Sequence, residues 1–126
     1  MNFNNTKILI CDDSILARKQ LKDAINSIGD GAVFVDAKNG QEAVDMYKDQ
    51  KADLCFLDIV MPVMDGATAV AEITAFDPDA KVIILSSVGT QAQLKKAIEG
   101  GAKDFLQKPL EIEALKKVLQ AQLGGN

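Results

Sequence analysis

The chain has 126 residues, 48% of them hydrophobic and 25% charged, the size and balance of one globular domain with apolar material for a single core. Its net charge of -4 argues against the basic stripe with which a nucleic-acid binder displaces counterions from phosphates. It contains no histidine, which excludes a Ser-His-Asp or Cys-His nucleophile pair, a His-ligated zinc site and a phosphohistidine carrier.

In chain order, the segment Met1-Asn2-Phe3-Asn4-Asn5-Thr6 is polar and unlike a signal peptide. A β-type run at 7 to 11 comes next, and then Ala17, Leu21, Ala24 and Ile28 recur at helical spacing, closed by Gly29 and Gly31. A strand at 32 to 36 leads to Asn39-Gly40, which opens a second helix; the strand at 53 to 57 leads to Asp65-Gly66, where Asp65 reads as the cap of a third. A strand at 81 to 85 precedes a fourth helix marked by Leu94, Ala97 and Ile98, and Gly100-Gly101 closes it as a left-handed cap would. The last pair is a strand at 103 to 106 and a helix carrying Ile112, Leu115, Val118 and Leu119; the tail Gly124-Gly125-Asn126 is expected to fray.

The runs at 8 to 11, 54 to 57 and 82 to 85 are too short to span a bilayer, so a cytoplasmic protein with no membrane partner is expected. They are almost continuously apolar, as in strands of a parallel sheet covered on both faces. Cys11 and Cys55 lie within such runs and read as small buried hydrophobes. Five βα units in series predict a doubly wound α/β domain spanning 1 to 126, with no linker and no output module.

In an open parallel sheet, ligands bind beyond the carboxyl ends of the strands. The residues there are Asp12 and Asp13, Asp58, Ser86 and Ser87, then Lys108 and Pro109. Singly, each has a plain reading: Asp12, Asp13 or Ser14 caps a helix, Ser86 makes a local turn, Lys108 is a solvated charge. Asp58 differs, because it ends a buried run and Pro62 intervenes before any helix it could cap. Together the residues form a constellation, since three converging carboxylates repel by roughly 1 kcal/mol or more per close pair. A hard divalent cation with oxygen ligands relieves that repulsion, and Mg²⁺ suits a cleft that handles phosphate. Phosphoryl transfer to a carboxylate then needs neutralisation of the phosphoryl oxygens, by Mg²⁺, the Lys108 ammonium and the Ser86 hydroxyl, and no general base.

On the Asp12-Asp13 pair, the stretch Asp58-Ile59-Val60-Met61-Pro62-Val63-Met64-Asp65-Gly66, Ser86 and Lys108-Pro109, the chain resembles CheY-like receiver domains of two-component response regulators over nearly its whole length. The resemblance implies a flavodoxin-like sheet of order 2-1-3-4-5 with Asp58 as phosphoacceptor. It implies Mg²⁺ on Asp13, Asp58 and the Val60 backbone carbonyl, with Asp12 acting through water, and a cis bond between Lys108 and Pro109. The implied donor is a phosphohistidine on a sensor histidine kinase or a histidine phosphotransfer protein, or a small phosphodonor. The implied output is docking of a downstream protein on the face of the fourth helix, fifth strand and fifth helix, by a monomer or a weak phosphorylation-dependent dimer. Ser86 and Phe105 would couple phosphorylation to that face, although Phe105 taken alone reads as an ordinary core aromatic.

Phe105 stands where tyrosine is frequent in the family, and Ser86 where threonine is. Val60 and Val88, two residues after Asp58 and Ser86, are apolar at the two rate-tuning positions; neither side chain orients a water, so slow self-dephosphorylation is expected. Two rival classes remain. A haloacid-dehalogenase-type phosphatase uses similar groups but spaces its acids two apart after the first strand, whereas this chain reads Asp12-Asp13-Ser14. A flavodoxin-type FMN module needs a hydroxyl-rich loop and aromatic walls, against an acidic loop, no Trp and one Tyr. The reading is therefore a phosphoacceptor switch and not an enzyme; its target, whether flagellar motor, kinase, phosphorelay intermediate or other regulator, stays open.

Overall fold

The structure, a computed structural model, describes residues 1–124; Gly125 and Asn126 of the expected frayed tail lie outside the described residues. Among the described residues, five strands alternate with five helices: β1 (Lys7–Cys11), α1 (Ile15–Ile28), β2 (Val33–Ala37), α2 (Gly40–Gln50), β3 (Leu54–Asp58), α3 (Gly66–Phe76), β4 (Val82–Ser86), α4 (Gln91–Glu99), β5 (Asp104–Gln107) and α5 (Ile112–Leu123). The strands form one sheet in the order β2-β1-β3-β4-β5, every neighbouring pair parallel. The expected flavodoxin-like order is the observed one. No described helix is long and apolar enough to cross a membrane.

Strand alternation divides the core in two. Ile8 and Ile10, Leu54 and Phe56, Ile83 and Leu85, and Leu106 pack against Leu21 and Ile25 of α1 and Leu115, Val118 and Leu119 of α5. Leu9 and Cys11, Cys55 and Leu57, and Val82 and Ile84 face Val44 of α2, Val70 and Ile73 of α3, and Ala97 of α4. Both cysteines are free and buried. Burial pushes each thiol well above the ordinary value, Cys11 further by its neighbours Asp12 and Asp58, so they act as hydrophobes.

Apart from β1, each strand begins and ends one residue later than its apolar run predicts. In β3, β4 and β5 polar residues close the ladder there: Asp58 pairs with Leu85, and Ser86 with Gln107. The α1 stripe also differs. Its buried residues are Arg18, Leu21 and Ile25, while Ala17, Ala24 and Ile28 are only half-buried.

The helix caps settle several readings. Ser14 caps α1, accepting the Ala17 N–H at 3.1 Å; Asn39 caps α2 through the Glu42 N–H and Asp65 caps α3 through the Thr68 N–H. Gly101 is left-handed at φ 122°. At α4, Thr90 makes no side-chain cap bond to the helix; its hydroxyl donates to the Ser87 carbonyl at 2.7 Å and accepts the Ser87 N–H at 3.1 Å. That helix buries Ala97 alone.

Gly66 joins α3 to the end of β3. Its N–H donates to the Ile59 carbonyl at 3.0 Å, and a Cβ there would lie 2.5 Å from the Asp58 carbonyl oxygen and 2.8 Å from the Ile59 Cα. These are backbone atoms and cannot step aside cheaply. Gly66→Ala is expected to destabilise the fold by about 1–3 kcal/mol, read as a lower urea midpoint at unchanged m-value.

Candidate functional site

Three charged side chains reach the carboxyl edge of the sheet by the same alternation. Asp12 follows Ile10, Asp58 follows Phe56 and Lys108 follows Leu106, so all three continue the α1/α5 side of their strands. Asp12 is 3% and Asp58 9% exposed. The Lys108 ammonium bridges them, at 2.9 Å from Asp12 Oδ2 and 3.3 Å from Asp58 Oδ1. One carboxylate oxygen each of Asp12, Asp13 and Asp58 fall within 4.8 Å of one another.

Every polar group of Asp12 is engaged. Its N–H donates to the Ala37 carbonyl at 3.1 Å, its carbonyl accepts from Arg18 Nη1 at 2.6 Å, its Oδ1 accepts the Ser14 N–H at 2.9 Å, and its Oδ2 accepts from Lys108. Asp13 is exposed. The backbone of Lys108 is tied to β4, its N–H donating to the Ser86 carbonyl at 2.7 Å, and the Lys108–Pro109 peptide is cis.

Charge and burial oppose each other here. Burial pushes the Asp58 carboxyl above its ordinary value; Lys108 pulls it back, the nearby Asp12 pushes it up again, and the net shift is upward. Burial works against the Lys108 ammonium, but its bond to Asp12 and the field of both carboxylates outweigh it, so the ammonium is held above its ordinary value.

Ser86 is buried and lies on the opposite side of β4 from Leu85. Phe105 pairs with Ile84, and Gln107 with Ser86, so Phe105 and Ser86 project from the same face of the sheet, diagonal to each other. Phe105 is 45% exposed, which corrects its reading as a core aromatic: β5 is an edge strand and its outer face is thinly covered. Val60 and Val88 point outward, 56% and 85% exposed.

Three features escaped sequence reasoning. Arg18 is a buried cation against the Asp12 carbonyl; the signal was a charge in step with Leu21 and Ile25. Asp36 holds Arg18 Nε at 3.0 Å and Lys22 Nζ at 2.5 Å; nothing in its strand marks it. Val63 adopts a left-handed φ of 68°, unusual for a β-branched residue.

The sequence profile of the response regulator receiver domain matches residues 8–120. The chain belongs to that family. The chemotaxis protein CheY of Thermotoga maritima is 46% identical over 116 residues, covering 89% of this chain and 96% of that protein. A chain in the crystal structure of the CheX–CheY–BeF3–Mg+2 complex from Borrelia burgdorferi has a TM-score of 0.84 at 35% identity, covering 95% of this receiver and 90% of that chain. The receiver domain of sensor histidine kinase PA1611 from Pseudomonas aeruginosa PAO1, solved with a magnesium ion coordinated in its active site cleft, has a TM-score of 0.84 at 25% identity, covering 95% and 98%.

The raised Asp58 carboxyl makes a pH prediction for this receiver. A carboxyl whose folded pKa lies above its unfolded value destabilises the fold wherever it is ionised, and the deficit disappears as pH falls through the folded pKa toward the ordinary value. Asp58→Asn is therefore expected to melt a few degrees higher than wild type near neutral pH without metal. The difference should shrink as pH enters the carboxylate range, as thermal melts followed by circular dichroism would record; an equal or lower melting point near neutrality would contradict it.

Proposed function

We propose that Asp58 accepts a phosphoryl group from a phosphohistidine on a sensor histidine kinase or histidine phosphotransfer protein, in a Mg²⁺-dependent reaction, and that the chain signals by docking. The observation that carries this reading is the Lys108 ammonium shared between Asp12 and Asp58 at the sheet edge. Small phosphodonors would serve as well.

The donor set fits a hard cation: three carboxylates converge, and all the ligating atoms are oxygens. Asp12 is fully engaged by its own partners, which favours Asp13, Asp58 and the Val60 carbonyl as direct ligands, with Asp12 acting through water. Mg²⁺ bound there would supply positive charge to the phosphoryl oxygens.

The remaining work falls to the chain. A carboxylate oxygen of Asp58 attacks phosphorus; the O–P bond forms as the P–N bond breaks, and its electron pair returns to the donor imidazole. Lys108 exchanges its contact with Asp58 for a phosphoryl oxygen, and the Ser86 hydroxyl meets another. Asp58 needs no base, since a carboxylate is already ionised near neutral pH. The chain thus serves as a phosphoacceptor switch, assisting only its own phosphorylation and slow dephosphorylation.

For output, Ser86 moving toward the phosphoryl group frees space on the face it shares with Phe105. The ring turns inward and the face of α4, β5 and α5 changes, a population shift driven by different contacts in two states. The relative found with CheX supports docking of another protein as the output. The receiver acts in the cytoplasm, as a monomer or weak phosphorylation-dependent dimer. Chemotaxis is the signalling context that the CheY relatives favour.

Intact mass after incubation with Mg²⁺ and a small phosphodonor is expected to rise by one phosphoryl group in wild type and not in Asp58→Ala; a gain that survives the substitution defeats the proposal. Val60→Asn supplies a polar group able to orient water, and should release phosphate faster than wild type. An unchanged decay of the phosphorylated species would remove Val60 from the rate-tuning role.

A further inference from the structure

Arg18 is 8% exposed, and its guanidinium joins three parts of the chain. From α1, Nη1 donates to the Asp12 carbonyl at 2.6 Å and Nε donates to Asp36 Oδ2 on β2 at 3.0 Å. The other Asp36 oxygen pairs with Lys22 Nζ at 2.5 Å, one helical turn beyond Arg18. Asp36 is opposite Ile10 in the β1–β2 ladder, two residues before Asp12. Burial raises the Asp36 carboxyl, yet its bonds to Lys22 and Arg18 outweigh this and hold it below its ordinary value, so the anchor stays ionised.

The carbonyl that Arg18 holds belongs to the peptide unit between Asp12 and Asp13. That unit is planar and ends at the Asp13 Cα, so fixing its oxygen restricts where that Cα, and the side chain it carries, leaves the strand. Asp12 has further restraints of its own. Asp13 has no side-chain hydrogen bond or ion pair among the described residues, so its placement is inherited from the peptide behind it.

We infer that Arg18, braced by Asp36 and Lys22, is a positioning residue that presets the Asp12–Asp13 loop for a divalent cation. The inference rests on the site reading given above. Two properties of arginine suit it: the planar fork reaches β2 and the end of β1 at once, and its geometry is set by delocalisation, which a lysine cannot copy.

The charge of Arg18 makes the proposal separable from simple electrostatics. A cation near the acid pair repels Mg²⁺, so if charge were its whole effect, Arg18→Met would bind Mg²⁺ more tightly. Positioning predicts the reverse for Arg18→Met and also for Arg18→Lys, which keeps the charge and loses the fork.

The test is titration of metal-free protein with Mg²⁺ alone by calorimetry, beside thermal melts of the same samples. Folded Arg18→Lys and Arg18→Met are expected to bind Mg²⁺ roughly 10-fold more weakly, the usual effect of losing a group that orients a ligand. Asp36→Asn, which leaves Arg18 in place and removes its brace, should weaken binding less, and it decides the question if the Arg18 variants do not fold. Phosphorylation by a small phosphodonor should need more Mg²⁺ for half-maximal rate while reaching the wild-type rate at saturation. Unchanged or tighter Mg²⁺ binding in folded variants overturns the inference, as does unchanged binding in Asp36→Asn. Wild type that binds no Mg²⁺ overturns the site reading itself.

Discussion

Three carboxylates are crowded at one sheet edge against a single ammonium, and much of the surrounding structure answers that imbalance. Lys108 satisfies one oxygen of Asp12 and one of Asp58, leaving negative charge in excess at a place where burial already disfavours it. Such a site is costly to keep and open to cations and to groups that bring them. The fold tolerates it because the chain beneath is restrained at many points: Asp12 by four bonds, the end of β3 by Gly66, Lys108 by the carbonyl of Ser86.

The two core layers divide the labour. Residues continuing the α1/α5 side bring the charges together, whereas Ser86 and Phe105 continue the side shared with α2, α3 and α4. The sheet is thus a partition, with the acid and lysine side chains on one face and Ser86 and Phe105 on the other. Their common boundary is the row of strand ends, where adjacent residues point to opposite faces.

The fold was legible in the sequence because both of its signals are local: apolar runs of strand length and apolar spacing of helix length. Strand ends were misplaced by one residue because backbone pairing is indifferent to side-chain polarity. Asp58 and Ser86 look like loop residues in a hydropathy pattern and remain in the ladder. The acids, Ser86 and Lys108 could be named from their places after the apolar runs, since chain order sets the strand ends. Arg18 and Asp36 could not, because their pairing depends on which face of α1 turns toward β2. The exposure of Phe105 depends likewise on how far α4 covers an edge strand, a matter of tertiary packing.

The shallow attachment of α4 has a consequence for timing. A helix that sinks one alanine into the core, with Leu94 half-buried against it, and whose leading threonine is occupied with the preceding turn, buries fewer residues than the other helices. It stands low in the hierarchy of local stability, and its amides should exchange through small openings while β1, β3 and β4 exchange only when the whole domain unfolds. An element so moored can shift against its neighbours at smaller energetic expense than the sheet beneath it, which stays in place.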